Sequence, residues 1–141
     1  MKLVTQKVIV AAAIVHTKKV LIVQRSPNEK VFPSLWEIPS GKREHFESSL
    51  AAIVREVKEE TSLEVKPVKP IDVFEFKVER DNEIRDSTQI TFLCKLFGNP
   101  KVTISDEHQD FDWITKDQVK DYNLSKDLQR VIKKAFEESV E

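Results

Sequence analysis

The chain has 141 residues, of which 40% are hydrophobic and 33% are charged, as in an ordinary globular domain. Its 23 Lys and Arg residues nearly balance its 24 Asp and Glu residues, so no net field favours nucleic acid or an anionic membrane. Its 2 glycines are too few for a Walker A loop or a GxGxxG dinucleotide-binding loop. We therefore expect a single domain over residues 1–141 that uses neither loop.

The amino-terminal region contains two apolar runs separated by a short polar turn, and they predict strands near residues 7–16 and 19–25. The first run, Val8–Val15, has the length of a signal-peptide core and follows Lys2 and Lys7. The second run follows at once, which favours a hairpin of two buried strands. Because no apolar run reaches the roughly 18 residues of a membrane span, we expect a cytoplasmic protein with no membrane partner.

The middle of the chain predicts a loop followed by a helix. The connection Ser26–Gly41 is long, and its apolar residues argue against disorder, so we expect a binding loop. The segment Ser48–Thr61 then has the periodicity of a helix. Its expected apolar arc consists of Leu50, Ile53, Val54, Val57 and Thr61.

The carboxyl-terminal half predicts strands near 63–66, 71–79, 87–97 and 110–114. The lone cysteine, Cys94, falls on the apolar face of the third of these, so we expect it to pack in the core and not to act as a nucleophile. Thr115 and Gln118 form a candidate capping box, and Ser125 is positioned to cap a last helix. The order, roughly β-β-α-β-β-β-α, predicts an α/β fold of the α+β type, a mixed sheet sandwiched by helices.

Three carboxylates lie close together on the predicted central helix. Glu56, Glu59 and Glu60 are spaced i, i+3 and i+4, and each like-charged pair costs roughly 1 kcal/mol even in water. A hard cation such as Mg²⁺ would relieve that repulsion, and the small Ala52 on the same side would leave room for a ligand. The alternative is an ordinary solvated helix face interleaved with Lys58.

The spacing around these carboxylates favours the metal-binding interpretation. Gly41 is followed after five residues by Glu47, and after seven more by Arg55-Glu56-Val57-Lys58-Glu59-Glu60-Thr61-Ser62-Leu63. This segment resembles the Nudix box, Gly-x5-Glu-x7-Arg-Glu-aliphatic-x-Glu-Glu-x-Gly-aliphatic, except that Ser62 replaces the last glycine. The stretches 20–25, 35–42 and 111–114 are also similar to the family, except that Ser40 stands where glycine is usual.

The resemblance implies the Nudix fold and a Mg²⁺-dependent reaction, with Mn²⁺ as a possible substitute. Water would attack phosphorus in a nucleoside diphosphate linked to another group. By position, Glu56, Glu59 and Glu60 would bind the metal ion, together with backbone from the region of Gly41. Glu56, Glu59 and Arg55 would carry catalysis, with Glu56 also a candidate general base.

Further roles follow from the same resemblance. Glu47 would pair with Arg55, and Ser62 would end the helix in the left-handed conformation at a cost on the order of 1 kcal/mol. Glu107 resembles an additional metal ligand or base of some members, the alternative being an exposed acid. His108 is interpreted as a solvated loop histidine, the alternative being an assisting proton donor. Ser40 adjoins the proposed metal-binding loop, so we expect it to affect metal affinity.

The sequence defines the substrate less closely than it defines the type of reaction. Arg25, Trp36 and Phe32 are candidate substrate-binding residues, and Phe46 and Phe76 could also stack on a base, although isolated aromatic residues are more often core. Family markers for ADP-ribose, NADH or dinucleoside polyphosphates are not evident. A nucleoside triphosphate, cleaved to nucleoside monophosphate and pyrophosphate, is therefore the default.

A small nucleotide is thus the expected partner, and nucleic acid is not. A homodimer is left open. The alternative function is an inactive Nudix-like nucleotide-binding or regulatory module. We do not favour it, because a binder has no need of a self-repelling carboxylate cluster.

Overall fold

The computed structural model describes residues 2–140. Within them lie seven strands, two α-helices and a short 3₁₀ helix. Their bounds in chain order are β1 Leu3–His16, β2 Lys19–Arg25, β3 Trp36–Glu37, β4 Ser40–Lys42, α1 Ser49–Thr61, β5 Glu64–Arg80, β6 Glu83–Phe97, β7 His108–Ile114, the 3₁₀ helix Lys116–Asp121 and α2 Lys126–Glu138.

The strands form one mixed sheet in the order β3-β2-β1-β6-β5, with β4 paired to β1 and β7 paired to β2. β1 and β6 run parallel, whereas the other neighbouring strands are antiparallel. The expected hairpin of β1 and β2 is present, with Val15 opposite Val20. The prediction of a mixed sheet with helices is therefore confirmed.

The core lies on both faces of the sheet because alternate residues of β1 point to opposite sides. Val10, Ala12 and Ile14 pack with α1 on one face, and Ala11 packs with α2 on the other. The central strand is consequently buried on both faces and reads as an unbroken apolar run. Cys94 is buried in the layer beneath α1, as expected for a core residue, and burial raises the pKa of its thiol to about 12.

Two predicted strands, 63–66 and 71–79, are wrong as separate elements because they form the continuous edge strand β5. Register shifts occur beside Pro67 and Pro70. Proline lacks the N–H that a ladder needs, and an edge strand accommodates it at such irregularities. The predicted loop Ser26–Gly41 likewise contains β3 and the start of β4.

Helix α1 begins and ends close to its predicted limits, but its buried face differs from the expected arc. Leu50 and Val54 are 54% and 42% exposed. Ala52 and Glu60 are buried in their place, alongside the expected Ile53 and Val57. Ala52 thus packs against the sheet in the core and leaves no room there for a ligand. The small side chain favours close approach of helix and sheet, which sequence periodicity alone did not reveal.

Serine side chains cap both α-helices. Ser48 Oγ accepts from the Ala51 N–H, and Ser125 Oγ accepts from the Leu128 N–H, as the sequence predicts for α2. Within residues 2–140, neither helix has the length and apolar content to cross a bilayer.

Candidate active site

A cavity of about 840 Å³ lies over one face of the sheet, bounded by the 26–35 loop, β3, β4, the β5–β6 hairpin and the start of α2. Five carboxylates line it, those of Glu29, Glu37, Glu56, Glu107 and Asp127. Aromatic side chains and several cations line other parts. Its size is typical of sites for small organic ligands.

Gly41 allows strand β4 to approach helix α1 at the edge of this cavity. Gly41 lies opposite Val10 of β1, and a Cβ atom built on it would stand 2.0 Å from Cδ of Glu56. Any side chain at this position would therefore displace the Glu56 carboxylate. This contact gives a physical reason for the glycine in the motif, which the sequence did not provide.

Arg55 joins the motif residues through a network of charged hydrogen bonds. Its Nε and Nη2 donate to the two oxygens of Glu47 at 2.8 and 2.9 Å. Its Nη1 donates to Glu56 at 2.8 Å and to Glu59 at 3.3 Å. Hydrogen bonds from Arg55, and then from the Glu44 backbone, lower the pKa of Glu47 to about 2. The bidentate pair holds the guanidinium in a fixed orientation beside Glu56.

The three glutamates expected to form one surface lie in different environments. The Glu59 side chain is 59% exposed and that of Glu56 is 15% exposed, whereas Glu60 as a residue is only 3% exposed. Burial raises the pKa of Glu56. Burial raises the pKa of Glu60 well above its usual range, and the negative charges of Glu37, Glu56 and Glu107 raise it further. The prediction that the three glutamates form one carboxylate surface is therefore wrong, because Glu60 faces inward.

Glu107 and His108 connect the carboxylates to the loop above them. The backbone oxygen of Glu107 accepts from the Ser26 N–H at 2.9 Å, and its carboxylate lies near enough to raise the pKa values of Glu56 and Glu60. His108 is buried, with Nε2 2.9 Å from Glu37 Oε2. The interpretation of His108 as a solvated loop histidine is wrong, because it is the first residue of β7 and is buried.

Glu37 is a site residue that sequence reasoning missed. Besides His108, it contacts Arg25 Nη1 at 3.4 Å, and it lines the cavity. The only available signal was its place in the family-like stretch 35–42. No local pattern could have revealed its partner on β7, which is 71 residues away.

The candidate substrate-binding residues divide into two groups. Arg25 lines the cavity, but Nε donates to the Val31 carbonyl oxygen at 2.8 Å and the other nitrogens lie near Glu37 and Glu29. The guanidinium thus holds the 26–35 loop in place. Trp36 and Phe32 also line the cavity, and Trp36 packs edge-to-face on Tyr122.

The other two aromatic candidates, Phe76 and Phe46, differ in whether they line the cavity. Phe76 lines the cavity beside Phe74, with ring centroids 5.9 Å apart. Phe46 is fully exposed and lies outside the cavity lining. Phe46 is therefore removed from the candidates for base stacking.

The donor set fits a hard divalent cation by its chemistry. Among residues 2–140, no three His, Cys, Asp or Glu side chains already converge into a metal-binding group. Glu60 is nevertheless a buried carboxylate with no cation within ion-pair distance in the described part of the chain, and its one hydrogen bond is a 3.4 Å contact from the Ser40 N–H. A buried acid surrounded by further carboxylates calls for a cation, and oxygen-only donors suit Mg²⁺.

Comparison with known proteins places this site in a family context. A sequence model of the NUDIX domain matches residues 5–135. The nucleoside triphosphatase NudI of Enterobacter sp. (strain 638) is 30% identical over 127 residues, which cover 85% of this chain and 89% of that protein. The m7GpppN-mRNA hydrolase NUDT17 of Xenopus laevis is 43% identical over 51 residues, 36% of this chain and 17% of that protein.

A solved structure has the same fold. The MutT protein of Methanosarcina mazei Go1 aligns with a TM-score of 0.79 at 23% identity, over 99% of this chain and 98% of that one. The NUDIX match over residues 5–135 contains every residue that lines the cavity.

Proposed function

Because this chain belongs to the Nudix hydrolase family, we propose that it hydrolyses a nucleoside triphosphate to nucleoside monophosphate and pyrophosphate. Nudix hydrolases generally use a divalent metal ion, and we assign Mg²⁺, with Mn²⁺ as a substitute. The observation that carries this proposal is the meeting of carboxylates, aromatic rings and cations in one cavity. The nucleoside triphosphatase relative supports the choice of substrate.

The proposed metal ligands are Glu56, Glu59 and Glu60, with backbone of the Gly41 region and the Glu107 carboxylate. Such an ion would neutralise phosphate charge and assist attack by water at phosphorus. Glu59 can turn inward because its side chain is exposed and its contact with Arg55 is long, at 3.3 Å. Arg55 and Glu47 act as positioning residues, because their bidentate pair orients Glu56.

Glu56 is the proposed general base. Burial raises the pKa of its carboxyl group, which makes the carboxylate a better proton acceptor. Its contact with Arg55 Nη1 at 2.8 Å favours the ionised form of the carboxyl group and orients it. In this scheme Glu56 takes the proton of the attacking water as the phosphoanhydride bond breaks, and pyrophosphate leaves.

The nucleoside is proposed to lie against Trp36 and Phe74. Both line the cavity on the side of α2, and flat rings offer a stacking surface that tolerates different bases. Arg25 contributes indirectly by holding the loop that carries Phe32.

A panel of substrates with Mg²⁺ tests the proposal. It contains the nucleoside triphosphates, nucleoside diphosphates, ADP-ribose and a cap dinucleotide, with released pyrophosphate and phosphate measured separately. We expect the highest kcat/KM for a triphosphate, with pyrophosphate as the product. Glu56→Gln protein, purified identically, controls for contaminating hydrolases. A better cap dinucleotide or ADP-ribose substrate would contradict the triphosphate assignment, and binding without turnover would favour the regulatory module.

A further inference from the structure

Four cations from four different strands line one part of the cavity. Lys7 belongs to β1, Lys42 to β4, Arg80 to β5 and Arg85 to β6. We call these four residues the basic strip. Strand pairing brings them together, because Lys42 lies opposite Ile9, two residues from Lys7, and Arg80 pairs with Glu83, two residues from Arg85.

The basic strip carries little compensating charge. In the part of the chain that the structure describes, only Arg85 has a carboxylate within 4 Å, that of Glu83 at 2.7 Å. Lys7, Arg80 and Arg85 are only partly exposed. Three half-buried cations and the exposed Lys42, with one carboxylate partner among them, favour an anionic ligand.

The position of the strip indicates which part of a ligand it meets. Lys42 directly follows Gly41, which contacts the Glu56 carboxylate. From there the strip runs along β6 towards the end of the hairpin, away from the carboxylates. Arg85 is four residues from Gln89, the residue level with Lys42, a distance of roughly 13 Å along a strand. A phosphate chain that starts at the carboxylates can therefore extend along several cations.

We propose that the basic strip binds the terminal phosphates of the substrate and so selects triphosphate over diphosphate chains. This inference rests on the proposed function, and it assigns the terminal phosphates of that substrate to the basic strip. Arg and Lys donors form charge-assisted hydrogen bonds to phosphate oxygens. All four cations line the same cavity, which favours a small polyphosphate over an extended RNA backbone.

The first measurement is binding of inorganic triphosphate in EDTA, where the protein cations alone can hold it. The test variant is Lys7→Gln with Arg80→Gln, since neither side chain forms an ion pair in the described residues. We expect its affinity for triphosphate to fall at least about tenfold. Inorganic monophosphate, which reaches fewer of the cations, should lose less.

The matched control is Lys77→Gln with Lys95→Gln. These lysines also lie on β5 and β6, but both are exposed and outside the cavity lining. The control removes the same total charge, so it should leave triphosphate binding close to that of the unmodified protein. Equal triphosphate affinity in the test variant and the unmodified protein would overturn the proposal, as would an equal loss in the control.

A kinetic measurement with Mg²⁺ gives a second readout. In the test variant, KM for the triphosphate should rise by a similar factor while kcat changes little, and the preference over the diphosphate should shrink. An unchanged ratio of triphosphate to diphosphate kcat/KM would count against the strip. If no triphosphate is hydrolysed at all, the proposed function fails, whereas the binding measurement still decides the inference. Stronger competition by RNA than by triphosphate would also overturn it.

Discussion

At Gly41, the addition of a single methyl group should lower activity while leaving the stability of the fold nearly unchanged. In Gly41→Ala the new Cβ would meet the Glu56 carboxylate at about 2 Å. The carboxylate is the free end of a flexible side chain, so it can move while the backbone stays in place. We expect turnover to fall at least about tenfold, because the proposed base is displaced. The unfolding free energy should change by less than about 0.5 kcal/mol.

The comparison for this variant is Ser40→Ala, which alters the neighbouring residue without a clash. Turnover by Ser40→Ala should stay closer to that of the unmodified protein. A Gly41→Ala protein with full activity would show that the Glu56 carboxylate need not occupy this position.

The three proposed ligands should differ in stability when each is changed to Gln. Because burial raises the pKa of Glu60 above its ordinary value of 4.5, its ionisation lowers apo-protein stability as pH rises above that value. Glu60→Gln removes this penalty, so its gain in melting temperature in EDTA should grow with rising pH. Glu59→Gln should show little such gain, since Glu59 is exposed.

Turnover supplies the second readout on these residues. We expect a loss of at least about 100-fold for one or more of Glu56→Gln, Glu59→Gln and Glu60→Gln. Near-normal turnover in all three would remove the carboxylates from the mechanism. A Glu60→Gln protein that melts lower at every pH would contradict the inward-facing charge.

At the scale of the elements, the end of α1 offers a test of backbone strain. Ser62 has φ 65° and its N–H donates to the Lys58 carbonyl oxygen. Glycine adopts this conformation without a Cβ penalty, so Ser62→Gly should stabilise the fold by roughly 0.5 to 1 kcal/mol, with turnover unchanged. Thermal denaturation measures the effect. Ser62→Ala, which removes only the 3.4 Å hydroxyl contact with Thr103, is the control and should bring no gain.

One buried carboxylate of β5, that of Asp72, forms ion pairs with α2. Asp72 accepts from Arg130 at 3.0 Å and from Lys134 at 2.6 Å. Burial opposes ionisation of Asp72, but these hydrogen bonds outweigh it and lower the pKa of Asp72. Asp72→Asn should therefore lower the unfolding free energy by about 1–3 kcal/mol at pH 7.

The pH dependence and a matched control distinguish this pair from general surface charge. Because the pKa of Asp72 in the folded protein lies below its ordinary value of 3.8, ionised Asp72 stabilises the fold at pH values above 3.8. That stability is lost as the pH falls through the folded-state pKa. The cost of Asp72→Asn should shrink accordingly in acid. Asp127→Asn breaks the exposed contact of the same Arg130 and should cost less than about 0.5 kcal/mol. An equal loss of unfolding free energy in the two variants would mean that the ion pairs of Asp72 contribute no more than an ordinary surface pair.

Local sequence signals predicted those features that depend on neighbouring residues. Strand alternation placed Cys94 in the core, and the Ser125 cap lies at the start of α2. Periodicity could not choose between adjacent faces of α1, because the choice depended on contact of Ala52 with the sheet. Nor could it reveal the contact of Glu37 with His108, which the pairing of distant strands creates.

At the scale of the whole molecule, the site is assembled from segments that the sheet brings together. Gly41, Glu56 and Glu107 come from β4, α1 and the loop before β7. The family-like motif predicted the first two because they belong to one contiguous segment. The basic strip was not predicted, because its members lie on four strands and only the observed pairing juxtaposes them.

The same architecture predicts that activity and folding will respond differently to metal removal. Ile53 and Val57 attach α1 to the sheet through an apolar cluster that includes none of the proposed metal ligands. EDTA should therefore abolish turnover while leaving the far-ultraviolet circular dichroism spectrum unchanged. Mg²⁺ should raise the melting temperature by mass action, since the proposed metal site exists only in the folded protein.

Glu56→Gln is the control for that shift, because it removes one proposed ligand without altering the core contacts of α1. Its melting temperature should respond less to Mg²⁺ than that of the unmodified protein. Full turnover in EDTA would contradict the metal assignment. A large loss of helical signal on chelation would mean instead that the ion holds α1 in place, and that the apolar contacts of Ile53 and Val57 are insufficient to do so.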